Sequence, residues 1–378
     1  MLPKNLRWDT YVMASGSDLK DLFLSHFGSS PRKICFIMGR GFDPRMNLGL
    51  AVLYDSCPQQ ECLVILLEFS EGPSSPSNRY AELVNYNMNE LLELARDGRI
   101  EVRRTELTML SSDGRRIGSR AAADLFKKSA EFEGYTDIVV DVSSLPSGIF
   151  YPLIAKLLYL LDPQPGHVRR QNLFVLVSEN SAIDLRILNE GIDEEADYVD
   201  LFRSGADRMA AAGHPKIWIP ILGEAQELQL RRIHDLVGPD EICPLLPSPS
   251  PFPRRADMLI SEYHRLLFDQ MRVEPQNFIY ASERNPFEVC RQVRRTVSDY
   301  NQVLQPLGGC RAIVSSASSK LLSIGALLAA YELKRAKLDI AIAHIEAHGY
   351  TIEEEQTIRS LAQSTTIFGL WLLGECYA

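Results

Sequence analysis

Three stretches of the 378-residue chain gather hydroxyls, glycines and cations in patterns that suit an anionic ligand. In one, Ala312, Ile313 and Val314 run into Ser315, Ser316, Ser318, Ser319 and Lys320, and then into the apolar LLSIGALLAAYEL. Serine hydroxyls, open backbone N–H groups and a lysine at a strand's carboxyl end fit a phosphate or a nucleotide. The same residues also fit a plain N-cap ahead of a buried helix. A second stretch, VSSLPSG, presents Ser143, Ser144 and Ser147 in the same setting, with Gly148 in the lysine's place. The third is GRGFDPR. Its Gly39 and Gly41 let backbone approach a ligand closely, and Arg40 and Arg45 offer planar forks to a phosphate. Asp43 is open to three roles: ribose acceptor, catalytic carboxylate, or partner of a neighbouring arginine in a tight turn.

Familiar fingerprints do not complete. Pro44 stands where G-x-G-x-x-G needs its third glycine, and no P-loop pattern occurs, which disfavours an ordinary dinucleotide or P-loop site. His344, Glu346 and His348 form H-x-E-x-H rather than H-E-x-x-H, and Ile340 to Ile345 reads as a strand, so no metal ligands are assigned. No G-x-S-x-G elbow or Ser-His-Asp set is present, and no catalytic residue is nominated. Were the chain an enzyme, Asp43 would be the carboxylate to test, with Asp141, Glu179 or Glu283 beside it and magnesium as the metal. No other cofactor is expected.

A net charge of −9 argues against bulk nucleic-acid binding by this chain alone. The seven cysteines are scattered without a C-x-x-C pair and read as reduced thiols. MLPKNLRWDTYVM lacks a signal peptide's apolar core, and no apolar run approaches the length of a membrane span. A cytoplasmic location without membrane contact is therefore expected.

The elements that must carry these turns are short apolar runs ended by polar breaks. Ile34 to Met38, Glu61 to Phe69, Ile100 to Arg104, Thr136 to Val142 and NLFVLVSEN read as strands. Helices are expected over Tyr80 to Arg96, Arg120 to Glu131 and Ile149 to Leu161. That alternation predicts a parallel sheet covered on both faces, with ligands at the strands' carboxyl ends. Residues 1 to 30 read as a lead-in helix, KIWIPIL as a further strand of the first half, and TTIFGLWLLGE as a docking strand or helix. Five prolines between Pro244 and Pro253 exclude a helix or central strand there. The expected division is an elaborated N-terminal domain over 1–243, a proline-rich connection over 244–256 and a smaller C-terminal domain over 257–378.

Set without a gap against Val314 to Leu333, the segment Val142 to Leu161 shares six identities in twenty. Each half also runs from a strand with a polar break (GRGFDPR; SERNPFEV) through a helix to a strand ending in Val-Ser-Ser and an apolar helix. The fold class expected is α/β, with two Rossmann-like parallel-sheet units derived by a divergent internal duplication.

A serine-rich turn with a lysine, opening a small-residue apolar helix, resembles the CRISPR-associated Rossmann-fold (CARF) domains. Their second signature often reads Gly-Gly-Thr-Lys, and Ser318, Ser319 and Lys320 occupy the Gly-Thr-Lys positions. Two such domains in one chain look like SAVED proteins, which sense cyclic oligonucleotides in bacterial anti-phage defence. The resemblance covers about twenty residues of the second half and is echoed less well in the first. It implies a nucleotide-sensing or regulatory subunit of a prokaryotic defence system, whose effector activity is supplied by a protein partner. The phosphorylated ligand would be held between SSLPSG, SASSK and GRGFDPR. The alternatives are a metal-dependent enzyme acting on nucleotides or nucleic acid, and a ligand-free scaffold subunit of a defence complex.

Overall fold

A computed structural model describes residues 7–28, 30–57, 60–70, 72–162, 171–203 and 213–377. Residues 1–6 of the expected lead-in helix and Glu71 of the loop EGPSSPSN lie outside the described residues. The chain divides into two units that interleave along the sequence. Unit A comprises Tyr11–Gly191 and Ala347–Ala378, and unit B comprises Met1–Thr10 and Ile192–Glu346. The expected boundaries at 243 and 257 fall inside unit B, and so does KIWIPIL.

Unit A begins with β1 (Val12–Ser15), α1 (Ser17–Gly28), β2 (Lys33–Gly39), α2 (Leu48–Ser56), β3 (Glu61–Phe69) and α3 (Ala81–Leu94). It continues through β4 (Ile100–Leu107), α4 (Gly118–Asp124), β5 (Asp137–Asp141), α5 (Ser147–Leu161), β6 (Asn172–Glu179), α6 (Ser181–Asp184) and β7 (Ile187–Asn189). Unit B follows with β8 (Asp197–Tyr198), β9 (Lys216–Ile221), α7 (Glu227–Val237), β10 (Glu241–Ile242), β11 (Leu245–Pro247) and α8 (Arg255–Glu262). Then come β12 (Ile279–Ala281), α9 (Pro286–Val303), β13 (Arg311–Ser316), α10 (Lys320–Arg335) and β14 (Ile340–His344). The chain closes in unit A with β15 (Tyr350–Ile352), α11 (Glu355–Leu361) and β16 (Thr366–Leu373).

Each unit is Rossmann-like. The sheet of unit A runs β1-β16-β6-β5-β2-β3-β4, and its β6-β5-β2-β3-β4 core is parallel throughout. Numbered by appearance, those five strands lie in the order 3-2-1-4-5. The sheet of unit B runs β12-β11-β9-β13-β14-β8, and its parallel strands give the same 3-2-1-4-5 order. Antiparallel strands extend both sheets at the fifth-strand edge: β16 and then β1 in unit A, β8 in unit B. Strands β2, β5, β9 and β13 are buried along nearly their whole length, as both-face coverage requires, which is why they read as unbroken apolar runs. The edge strand β4 instead exposes Glu101, Arg103 and Arg104, charges that blunt a free edge.

Two expectations about elements are corrected and one, for TTIFGLWLLGE, is narrowed to its strand alternative. The lead-in is a strand before a helix, because Val12–Ser15 pairs with β16 across Val12↔Trp371 to Ser15↔Phe368. TTIFGLWLLGE is an interior strand between β1 and β6. The proline-rich segment does contain an interior strand, β11, between β9 and β12. One of its acceptors is a proline carbonyl: Ile279 N donates to Pro244 O at 2.8 Å, and on the other side Leu222 N donates to Leu245 O at 3.0 Å. The repeat also has a different correspondence. Val-Ser-Ser does follow the fourth strand of unit A, and it ends the fourth strand of unit B. GRGFDPR, however, follows the first strand of unit A, whereas SERNPFEV follows the third strand of unit B.

Candidate ligand-binding site

In a 3-2-1-4-5 sheet the connections leave strands 1 and 4 in opposite directions, which opens a crevice at their carboxyl ends. In unit B those ends are Leu222-Gly223-Glu224 after β9, and Ser315 and Ser316 ending β13 with Ala317 to Lys320 beyond it. Ala317 N donates to Ile221 O at 3.0 Å and carries the ladder past the end of β13. Gly223 then lies against the serine turn: a Cβ there would collide with Ala317 O and sit 2.9 Å from Ser318 Cα. Only glycine allows the two ends to close this far.

The serines divide by role. Trp218 Nε1 donates to the buried Ser315 Oγ at 2.9 Å. Ser316 and Ser323 share a hydroxyl–hydroxyl bond of 2.8 Å, and Ser323 Oγ donates to Ser319 O at 2.9 Å. Ser319 caps α10 by accepting from Leu322 N at 3.4 Å. Ser318 is the exception: its hydroxyl is shielded from solvent and has no hydrogen-bond partner. Lys320 follows as the first residue of the 16-residue α10. A cation there opposes the helix dipole, and an anion bound at the turn would meet the lysine's charge, the Ser318 hydroxyl and the helix end together.

Unit A carries the remaining candidates, GRGFDPR after β2 and SSLPSG after β5, at the equivalent crevice. They meet: Ser144 Oγ donates to Gly39 O at 2.7 Å, and Gly41 lies 3.6 Å from Ser144 at its Cβ position. The crevice is filled from within, however. Asp141 lies against the first turn of α2, where a Cβ on Gly49 would collide with its Oδ2. Ser143 N and Oγ donate to Asp141 Oδ1 at 2.9 and 2.5 Å, and Ser178 N donates to Ser143 Oγ at 3.0 Å. An internal carboxylate thus lies beside the N-terminus of α2, where its charge suits the helix dipole. Ser147 opens α5 beside it.

The arginines of GRGFDPR differ. Arg45 is buried and donates to Asp43 from Nε and NH2 at 3.0 and 2.8 Å, and to Asp184 and Ser178 O from NH1 at 2.7 and 3.2 Å. Burial lowers the affinity of its guanidinium for a proton, but the two carboxylates outweigh this and raise it. Of the three roles open to Asp43, the structure shows the arginine partner, with both carboxylate oxygens engaged. Arg40 stays at the surface, 3.6 Å from Glu68. Asn87, which no motif flagged, pins the loop by donating to Gly41 O and Asp43 O at 2.9 Å each. Among the described residues no three His, Cys, Asp or Glu side chains gather as metal ligands, and no helix is long and apolar enough to cross a membrane.

Gly223 and Glu224 were also missed in the sequence. The available signal was that KIWIPILGE, like KICFIMG, is an apolar strand that breaks at a glycine.

No protein-family model and no curated protein matches the chain. Solved structures do align with it. A universal stress protein from Archaeoglobus fulgidus DSM 4304 is 8% identical, covering 82% of this chain and 95% of its own, with a TM-score of 0.22. A NadR protein in complex with NAD and AMP-PNP is 11% identical over 82% and 91%, with a TM-score of 0.25. The UDP-GlcNAc 2-epimerase from Neisseria meningitidis bound to UDP-GlcNAc is 7% identical over 87% and 94%, with a TM-score of 0.21. Superpositions this loose carry no argument about function. The fold rests on the strand order of the chain itself.

Proposed function

We propose that the protein is a nucleotide sensor, binding a phosphorylated ligand at the β9–β13 crevice of unit B. The observation that carries this is the shielded, unpartnered Ser318 hydroxyl beside Lys320 at the start of α10. A buried hydroxyl left unmatched costs about 1–3 kcal/mol, and a ligand phosphate would remove that cost. Unit A, where Asp141 lies against the first turn of α2, then serves as scaffold. The likeness of the Ser318-Ser319-Lys320 turn to CARF and SAVED domains supports a regulatory role in anti-phage defence, with the effector on a partner protein. Asp43, held by Arg45, gives no support to a metal-dependent enzyme.

The test is thermal-shift screening of the full chain against cyclic and linear oligonucleotides. A ligand at about 100 times its Kd stabilises the folded state by about 2.7 kcal/mol. Lys320→Ala should weaken binding by about tenfold or more, equal to about 1.4 kcal/mol. A folded protein stabilised by none of these compounds defeats the proposal. Ligand-independent co-purification with a partner, unaffected by Lys320→Ala, would point to a scaffold subunit instead.

A further inference from the structure

The serine turn of unit B is one end of a longer polar row. Glu224 directly follows Gly223, and Arg255 donates to its carboxylate from Nε and NH2 at 2.6 and 2.7 Å. The third guanidinium nitrogen, NH1, donates to Oε1 of Glu283, two residues beyond β12. A Glu–Arg–Glu row therefore runs along the carboxyl ends of β9, β11 and β12, starting where Gly223 meets Ser318. One arginine between two carboxylates leaves a negative charge in excess. Glu283 Oε2 is shielded from solvent and has no hydrogen-bond partner, on a side chain only 13% exposed.

The two ends of the row differ in kind. The turn at Ser318 and Lys320 attracts an anion, whereas an ionised carboxylate accepts hydrogen bonds only and repels a phosphate. A ligand that satisfies both has a phosphate at one end and O–H or N–H donors at the other. The nucleoside part of a nucleotide has that character. Its orientation follows from charge alone.

We propose that Glu283 recognises the nucleoside part of the ligand, with Oε2 accepting a hydrogen bond from a sugar hydroxyl or base amine. This rests on the phosphate reading of the Ser318 turn. Arg255 is the positioning residue: its contact with Glu224 fixes the guanidinium, and the guanidinium fixes Glu283.

Calorimetric titration of the full chain tests this with three probe sets: pyrophosphate, the four ribonucleoside 5′-diphosphates, and their 2′-deoxy counterparts. At least one ribonucleoside diphosphate should bind about tenfold or more tightly than pyrophosphate, a margin of about 1.4 kcal/mol. Glu283→Gln should abolish most of that margin and leave pyrophosphate binding unchanged, while Lys320→Ala weakens both. Loss of the margin in the 2′-deoxy compounds assigns the donor to the sugar, and a margin that varies with the base assigns it to the base. Either supports the proposal. Equal binding of pyrophosphate and every nucleoside diphosphate overturns it and leaves the phosphate reading intact. So does a Glu283→Gln variant that weakens neither probe or both alike. If no probe binds, the phosphate reading falls and this one with it. Should Glu283→Gln fold poorly, Glu283→Asp, which keeps the charge but draws the carboxylate back, makes the same comparison: a reduced margin supports the proposal and an unchanged one overturns it.

Discussion

Ser318 separates a ligand site from a capped helix, because the two readings assign opposite signs to one substitution. In a plain N-cap turn each hydroxyl has a partner, as those of Ser315, Ser316 and Ser319 do, and removing one destabilises the fold. Ser318 has none. Ser318→Ala should therefore leave the melting temperature of the ligand-free protein unchanged or raise it, since it deletes an unmatched buried polar group. Ser319→Ala removes the cap and should cost about 1 kcal/mol. The same Ser318→Ala variant should lose ligand-induced stabilisation. Thermal melts with and without ligand check both signs, and a clear loss of ligand-free stability in Ser318→Ala would assign it a structural role. The sequence shows this serine two residues before a lysine that opens a helix. It could not show which hydroxyls find partners, because Trp218 and Ser323 reach their serines only through the folded sheet and helix.

At the scale of elements, α9 and α10 are joined by a buried ion pair. Arg294 NH1 meets Glu332 Oε2, and each side chain is 6% exposed. Arg294 NH2 also donates to Asp9 at 2.5 Å. A buried pair contributes little net stability, but breaking it strands a charge. Arg294→Met alone should cost about 3–5 kcal/mol, whereas Arg294→Met combined with Glu332→Leu should recover most of it. Urea denaturation of both single variants and the double variant gives the coupling directly, and additive losses would refute the account. The buried strands of both units were legible because burial on both faces writes apolar runs into the sequence, whereas α2 was not expected and the helix expected over Arg120 to Glu131 ends at Asp124. Strand β11 was not legible, since a proline carbonyl, that of Pro244, can accept a sheet bond although proline's nitrogen cannot donate one. The true partner of GRGFDPR was hidden for a related reason. LGEAQ carries no arginine or serine, and only the sheet order shows that it follows the first strand.

At the scale of the whole molecule, the interleaved chain gives each unit its own titrating group, and both lose stability in acid in different windows. In unit B, burial pushes the half-buried His344 down to about 4 from an ordinary 6.5, partly offset by the charge of Asp193. Folding thus disfavours its protonated form. The stabilisation is complete above pH 6.5 and is lost as pH falls towards 4. In unit A, the hydrogen bond from Arg32 is the main cause that holds Glu375 at about 2 rather than 4.5. Its contribution is present above pH 4.5 and disappears as pH falls towards 2. It is reduced by screening, because the Glu375 side chain is 58% exposed. Unit B should therefore weaken first on acidification and unit A later. Melting curves from pH 7.5 to 2.5 should show two successive declines, with His344→Gln flattening the upper and Glu375→Gln the lower. A single decline that neither substitution alters would show that other groups govern acid unfolding. Because Glu375 lies in the segment that returns to unit A after all of unit B, the lower decline also reports the closure of an interrupted unit. Glu375→Gln should then accelerate proteolysis near β16 while leaving the serine turn of unit B, and its ligand, unaffected.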